Sequence, residues 1–110
     1  MATTRKKTAT VVETRLTKVQ LRRIATLGTV WQLDDKHKKL VATFDFDRYL
    51  DGFMFATKVF VHAEVMNHHP EVCITESSVK VTLTTHDTKG VSDLDIALAE
   101  RINQLLSPRS

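Results

Sequence analysis

DRYLDGFMFATKVFVHAEVMNHHP, residues 47–70, decides how the rest of the chain is read. Tyr49, Phe53, Ala56, Phe60 and Ala63 are separated by 4, 3, 4 and 3 residues, the period of one helical face. The spacing predicts a helix from Asp47 to about Asn67. Leu50, Met54, Phe55, Val59, Val61 and Met66 widen its apolar surface beyond what one sheet would cover, so subunit association is expected to bury the excess. Pro70 cannot continue a helix and disfavours helical geometry at His69, which puts His68 and His69 at the helix exit.

Working upstream, VWQL and LVATFDF flank the polar turn DDKHKK and read as a β-hairpin. Leu40, Ala42, Phe44 and Phe46 share one face, and Val41, Thr43 and Asp45 the other. Before the hairpin, LTKVQLRRIATLG predicts a helix whose apolar residues are Leu21, Ile24, Ala25 and Leu27. Thr17 and Gln20 have capping-box spacing, Leu16 and Leu21 suit a hydrophobic staple, and Gly28 suits the left-handed residue that ends a helix. Downstream, EVCIT and VKVTLTT form a second strand pair joined by ESS, with Val79, Val81 and Leu83 on one face and His86 just past the strand end. Ser92 opens a last helix with Asp95 as an acidic capping-box partner, and Leu94, Leu98, Ile102 and Leu105 as its expected buried stripe. The order αββαββα predicts an α+β domain: a four-stranded antiparallel sheet with three helices packed on one face and the other face open.

A chain of 110 residues, 42% hydrophobic and 26% charged, is expected to fold as one domain. Residues 1–15 read as a flexible basic tail and 16–110 as the domain. The net charge of +3 is unevenly spread: residues 1–23 hold seven of the sixteen basic residues and one of the thirteen acids, leaving nine and twelve for the remainder. The front therefore carries +6 and the rest −3. No apolar run approaches the roughly 20 residues of a membrane span, and the N-terminus lacks the apolar core of a signal peptide. The single cysteine, Cys73, cannot form an internal disulfide and fits a reducing compartment, so a cytoplasmic protein is expected. A nuclear location is compatible, and the basic tail leaves organelle targeting open. With three glycines there is no phosphate-binding loop, and basic and aromatic residues do not interleave, so nucleotide and nucleic-acid binding lack support.

The residues suited to chemistry are His68, His69 and His86. If the second strand pair is a hairpin, His86 comes near the His68-His69 corner. One helix cap does not need three imidazoles, and histidine titrates near neutral pH, so such a cluster suits proton transfer in both directions. Glu64, the three histidines and Cys73 could alternatively offer metal ligands, but there is no CxxC, no HExxH and no i, i+4 histidine pair, so no metal is expected. Cys73 falls mid-strand and no serine has a nucleophile context. Asp95 reads as a helix-start charge able to orient an imidazole, Glu64 as a solvated residue, and Trp31 as core with ring stacking as its functional alternative.

These residues form an ordered set. Glu64 precedes the run His68-His69-Pro70, and VKVTLTTH (79–86), with Thr85-His86 at its end, and S-x-x-D-x-x-L-A (92–99), with Asp95, follow. Together with Trp31-x-Leu33 and the helix from Phe53 to Glu64, the set resembles the pterin-4a-carbinolamine dehydratases, also known as dimerisation cofactors of a homeodomain transcription factor, over roughly residues 16–106. The resemblance implies an αββαββα subunit that dimerises through its sheet and often tetramerises through the long helix. It implies an enzyme without metal or organic cofactor that converts 4a-hydroxytetrahydrobiopterin to quinonoid dihydrobiopterin and water, recycling the pterin of aromatic amino acid hydroxylases. A transcription factor or such a hydroxylase is the implied kind of protein partner. His68, His69 and His86 are then the catalytic residues, with Glu64, Pro70, Thr85, Asp95 and Trp31 binding or orienting substrate. Two positions depart from the family: Val72 and Glu76 stand where aromatic residues are common, which shifts ring contact toward Trp31.

Overall fold

The computed structural model describes residues 16–106 apart from 35, 37 and 89, so the basic tail lies outside the described residues. The elements are α1 (Lys18–Thr26), β1 (Trp31–Leu33), β2 (Leu40–Asp45), α2 (Tyr49–Met66), β3 (Glu71–Ile74), β4 (Ser78–Leu83) and α3 (Asp93–Leu105). The αββαββα order and the antiparallel four-stranded sheet agree with the sequence reading.

The strand order is β1-β2-β4-β3, so the two hairpins join through β2 and β4. Their register pairs Leu40 with Leu83 and Phe44 with Val79, which matches the apolar alternation of both strands. Leu40, Ala42, Phe44, Val79, Val81 and Leu83 are all buried under the helices, and each such side chain contributes roughly 1.5–3 kcal/mol, alanine less. The same register sets the end of β4 beside the start of β2, and the Glu71–Thr82 pair sets it beside the start of β3. Lys39, Pro70 and His86 are therefore brought to one end of the sheet.

In α1 the capping box forms as expected: the Gln20 amide donates to Thr17 Oγ1 at 3.0 Å and the Thr17 amide to Gln20 Oε1 at 2.8 Å. Gly28 has φ +99°, the left-handed conformation that favours glycine. The apolar face is rotated from expectation. Leu16, Ile24 and Leu27 are buried, whereas Leu21 and Ala25 are exposed. The same side of α1 also carries polar contacts to α3, through Arg23 on Glu100 (2.9 and 3.3 Å) and Gln20 on Asp93 (2.7 Å).

The phase of α2 also differs. Ala56 and Ala63 are buried as expected, but Tyr49, Phe53 and Phe60 are exposed, and the core face is Gly52, Phe55, Ala56, Val59 and Ala63. Two apolar stripes of the same period interleave on this helix, and size chooses between them. A Cβ on Gly52 would lie 3.3 Å from Phe46 Cδ2 and 3.4 Å from Val79 Cγ2, so the helix approaches the sheet along its smaller residues. The bulky stripe is left outside, with Leu50, Met54, Val61 and Val65.

In α3, Ser92 caps the helix and Asp95 completes the box, as the spacing predicts. Leu98 and Ile102 are buried and Leu105 partly so, but Leu94 is exposed. The inward position in that first turn is taken by Asp95, joined by Ile96, Ala99 and Ile102.

Candidate active site

α2 ends at Asn67, which adopts φ 52°, ψ 43° and closes a Schellman-type exit. The Asn67 amide donates to Glu64 O at 3.1 Å and the His68 amide to Ala63 O at 2.9 Å. Asparagine tolerates the left-handed region because its side chain is short and polar. The reversal sends His68 and His69 in different directions.

His68 is directed inward and is 9% exposed. Its Nε2 lies 2.5 Å from Asp95 Oδ1. Asp95 is fully buried, and its second oxygen accepts the Ser92 amide and the Thr85 hydroxyl, each at 2.8 Å. A buried carboxylate costs several kcal/mol unless its lone pairs are satisfied. Here three donors and the start of α3, whose dipole favours negative charge, offset that cost.

His69 is directed outward. Its Nε2 is 3.1 Å from Glu64 Oε1, an exposed pair that adds little stability but steers the ring. His86 lies in the turn closed by the Thr85–Gly90 bridge. His69 and His86 line one cavity of about 250 Å³, together with Lys39, Pro70, Glu71, Thr82 and Thr84. The three imidazoles thus do not share a cavity: two face it and His68 is bonded behind it to α3. A wider hollow of about 520 Å³ lies between Thr17, Gln20 and the first turn of α3, and its lining holds no imidazole.

Trp31 does not reach the cavity. It is buried against Phe44, with ring centroids 5.8 Å apart, and its indole N–H donates to Asn103 Oδ1 at 2.8 Å. The ring-contact role expected for it is not available in this position, because the side chain is part of the core. Among the described residues no group of three or more His, Cys, Asp or Glu is placed to hold a metal ion.

Lys39, Glu71, Thr82 and Thr84 were not singled out from the sequence. The threonines alternate with buried Val81 and Leu83 and so belong to the open face, a readable period-two signal. Lys39 carries no such signal, since its place depends on the β2–β4 pairing. Asn67 and Ser92 were readable as a helix-ending and a helix-starting residue, though not as parts of a site.

The family model for pterin 4 alpha carbinolamine dehydratase matches residues 14–105. A curated relative from Prochlorococcus marinus (strain MIT 9313), named "Putative pterin-4-alpha-carbinolamine dehydratase", is 43% identical over 95 residues, covering 86% of this chain and 96% of the relative. One of the same name from Sulfurisphaera tokodaii is 40% identical over 93 residues, covering 84% and 98%. Among solved structures, a transcriptional coactivator/pterin dehydratase from Brucella melitensis superposes with a TM-score of 0.74 at 30% identity, covering 84% of this chain and 98% of that one. A pterin dehydratase-like RuBisCO assembly factor of the alpha-carboxysome superposes at 0.61 with 21% identity, covering 72% and 92%, and so shares the fold. With the family model spanning both the histidine corner and the capping box of α3, the chain belongs to the pterin-4-alpha-carbinolamine dehydratase family.

Proposed function

We propose that the protein is a 4a-hydroxytetrahydropterin dehydratase that works by acid–base catalysis with His69 and His86. The observation that carries this reading is that these two residues, delivered by the exits of α2 and β4, line the same cavity. An imidazolium protonates the C4a hydroxyl, the C–O bond breaks with the N5 lone pair forming the C4a=N5 bond, and water leaves. A neutral imidazole then removes a ring N–H proton to give the quinonoid dihydropterin. Each proton transfer is worth ~10²–10⁴ in rate. The reaction is proposed to need no metal or organic cofactor.

Glu64 orients His69 through the 3.1 Å contact. His68 is assigned a supporting role, since Asp95 holds its Nε2 and its ring is mostly buried. Pro70 lines the cavity wall beside His69 and fixes the entry to β3. The test is the time course of freshly generated 4a-hydroxytetrahydropterin followed by ultraviolet absorbance. The protein is expected to accelerate its loss well above the spontaneous rate, and equality with that rate would overturn the reading.

A second reading, a non-enzymatic dimerisation or coactivator module, draws on the exposed apolar face of α2 and on the coactivator description of the Brucella melitensis structure. Self-association through that face, as a dimer or tetramer, is proposed under either reading. The dehydratase assay on the Phe53→Glu, Phe60→Glu double variant, with its dissociation checked by sedimentation, separates the two: a dehydratase retains its cavity chemistry when dissociated, whereas a scaffold shows no turnover in either form.

A further inference from the structure

Asp95 Oδ1 meets His68, the residue before His69, and Asp95 Oδ2 meets Thr85, the residue before His86. One fully buried carboxylate is therefore tied to both segments that present cavity imidazoles, although α2 and β4 deliver them separately. The direction of the bonds follows from their chemistry. Thr85 donates its hydroxyl proton to the carboxylate, which leaves its lone pairs for the Ser92 hydroxyl 2.7 Å away. Ser92 Oγ accepts the Leu94 amide at 3.3 Å and gives its own proton to Thr85, while the Ser92 amide donates to Asp95 Oδ2. The Thr85 backbone is held as well, by reciprocal bonds with Gly90 at 3.0 and 3.1 Å that close the turn carrying His86.

We infer that Thr85, Ser92 and Asp95 form a clamp that sets the separation of the His69 and His86 rings, so that Ser92, a helix cap outside the cavity lining, is a positioning residue. The inference rests on the reading above in one respect, namely that both rings serve the same substrate. An acid and a base that act on one substrate depend on their spacing, and a displacement near 1 Å can cost on the order of 10²-fold in rate. Loops that hang from a sheet end do not hold such a spacing unaided. Here the tie is anchored on a fully buried carboxylate, its two hydroxyls are half-buried, and every hydroxyl proton in it has one acceptor.

A helix cap also supports stability, and the substitutions must separate the two effects. Glycine at an N-cap forfeits only a few tenths of a kcal/mol relative to serine. At residue 92, with φ −129° and ψ 178°, it fits the extended backbone and keeps the amide that binds Asp95. Ser92→Gly therefore deletes the hydroxyl while leaving the cap nearly intact.

The experiment uses the full-length protein and the variants Thr85→Val, Thr85→Ser, Ser92→Gly and Ser92→Thr. Two quantities are measured: kcat and KM for 4a-hydroxytetrahydropterin, and the Cε1 resonances of His69 and His86 in the ligand-free protein. Thr85→Val is expected to lower kcat by roughly 10–100-fold with KM nearly unchanged, Ser92→Gly by less, and the conservative Thr85→Ser and Ser92→Thr to recover most of the rate. The His69 and His86 resonances should both move in Thr85→Val. Unmoved resonances at both rings in Thr85→Val and Ser92→Gly, or wild-type kcat in both, would overturn the clamp. The resonances need no substrate, so a wild-type protein without dehydratase activity would sink the proposed reaction while the ring shifts still decide the clamp.

Discussion

His68 and His69 are adjacent, identical in chemistry, and placed in opposite settings. One is 9% exposed and bonded to a fully buried aspartate; the other faces a cavity beside an exposed glutamate. What separates them is the left-handed residue before them and the proline after them, which turn the chain so that successive side chains leave on different sides. The comparison teaches that a doubled histidine is two settings, one held in buried bonding and one facing a cavity.

The largest expected effect belongs to the cavity pair. His69→Ala and His86→Ala should each lower kcat by ~10²–10⁴ while leaving unfolding stability within about 0.5 kcal/mol, as for exposed residues. Equilibrium unfolding in urea beside the rate assay checks both halves. Next comes the other side of the comparison. Asp95→Ala leaves the buried His68 ring, the Thr85 hydroxyl and the Ser92 amide without their acceptor, and should cost about 3 kcal/mol in the same unfolding assay. His68→Gln keeps a donor but not the ring, and about 1–3 kcal/mol of destabilisation is expected, with a smaller loss of rate than in His69→Gln. If His68→Gln instead abolished turnover at full stability, the contrast between the two histidines would break. The smallest effect is at Glu64: Glu64→Gln keeps a polar contact to an exposed ring, and its stability change should stay under about 1 kcal/mol.

Much of the architecture was readable because local signals were unambiguous. Thr17 with Gln20 and Ser92 with Asp95 mark two helix starts, and the alternation in 40–46 and 79–83 marks two strands and their inward faces. The face of α2 was not readable, because Tyr49-Phe53-Phe60 and Gly52-Phe55-Val59 repeat with nearly the same period, and only the fit of small residues against Phe46 and Val79 chooses between them. Leu94 misled for a related reason: a buried aspartate took the inward position in the first turn of α3, which hydrophobic patterning does not anticipate. At the site, His69 and His86 could be brought to one corner from strand pairing. Lys39 could not, since the joining of the two hairpins through β2 and β4 is a tertiary choice. Trp31 was readable as core, with ring stacking as its alternative; Asn103, which takes its indole N–H, lies in another element and gave no local signal.

A crystal structure with a bound dihydropterin tests the central claim most directly. The bicyclic ring is expected between His69 and His86, with both imidazole nitrogens within hydrogen-bonding reach of the C4a–N5 edge and the His68–Asp95 bond unchanged. A ring seated in the hollow beside Thr17 and Gln20, or one that draws His68 away from Asp95 to reach it, would contradict the division of labour between the two adjacent histidines.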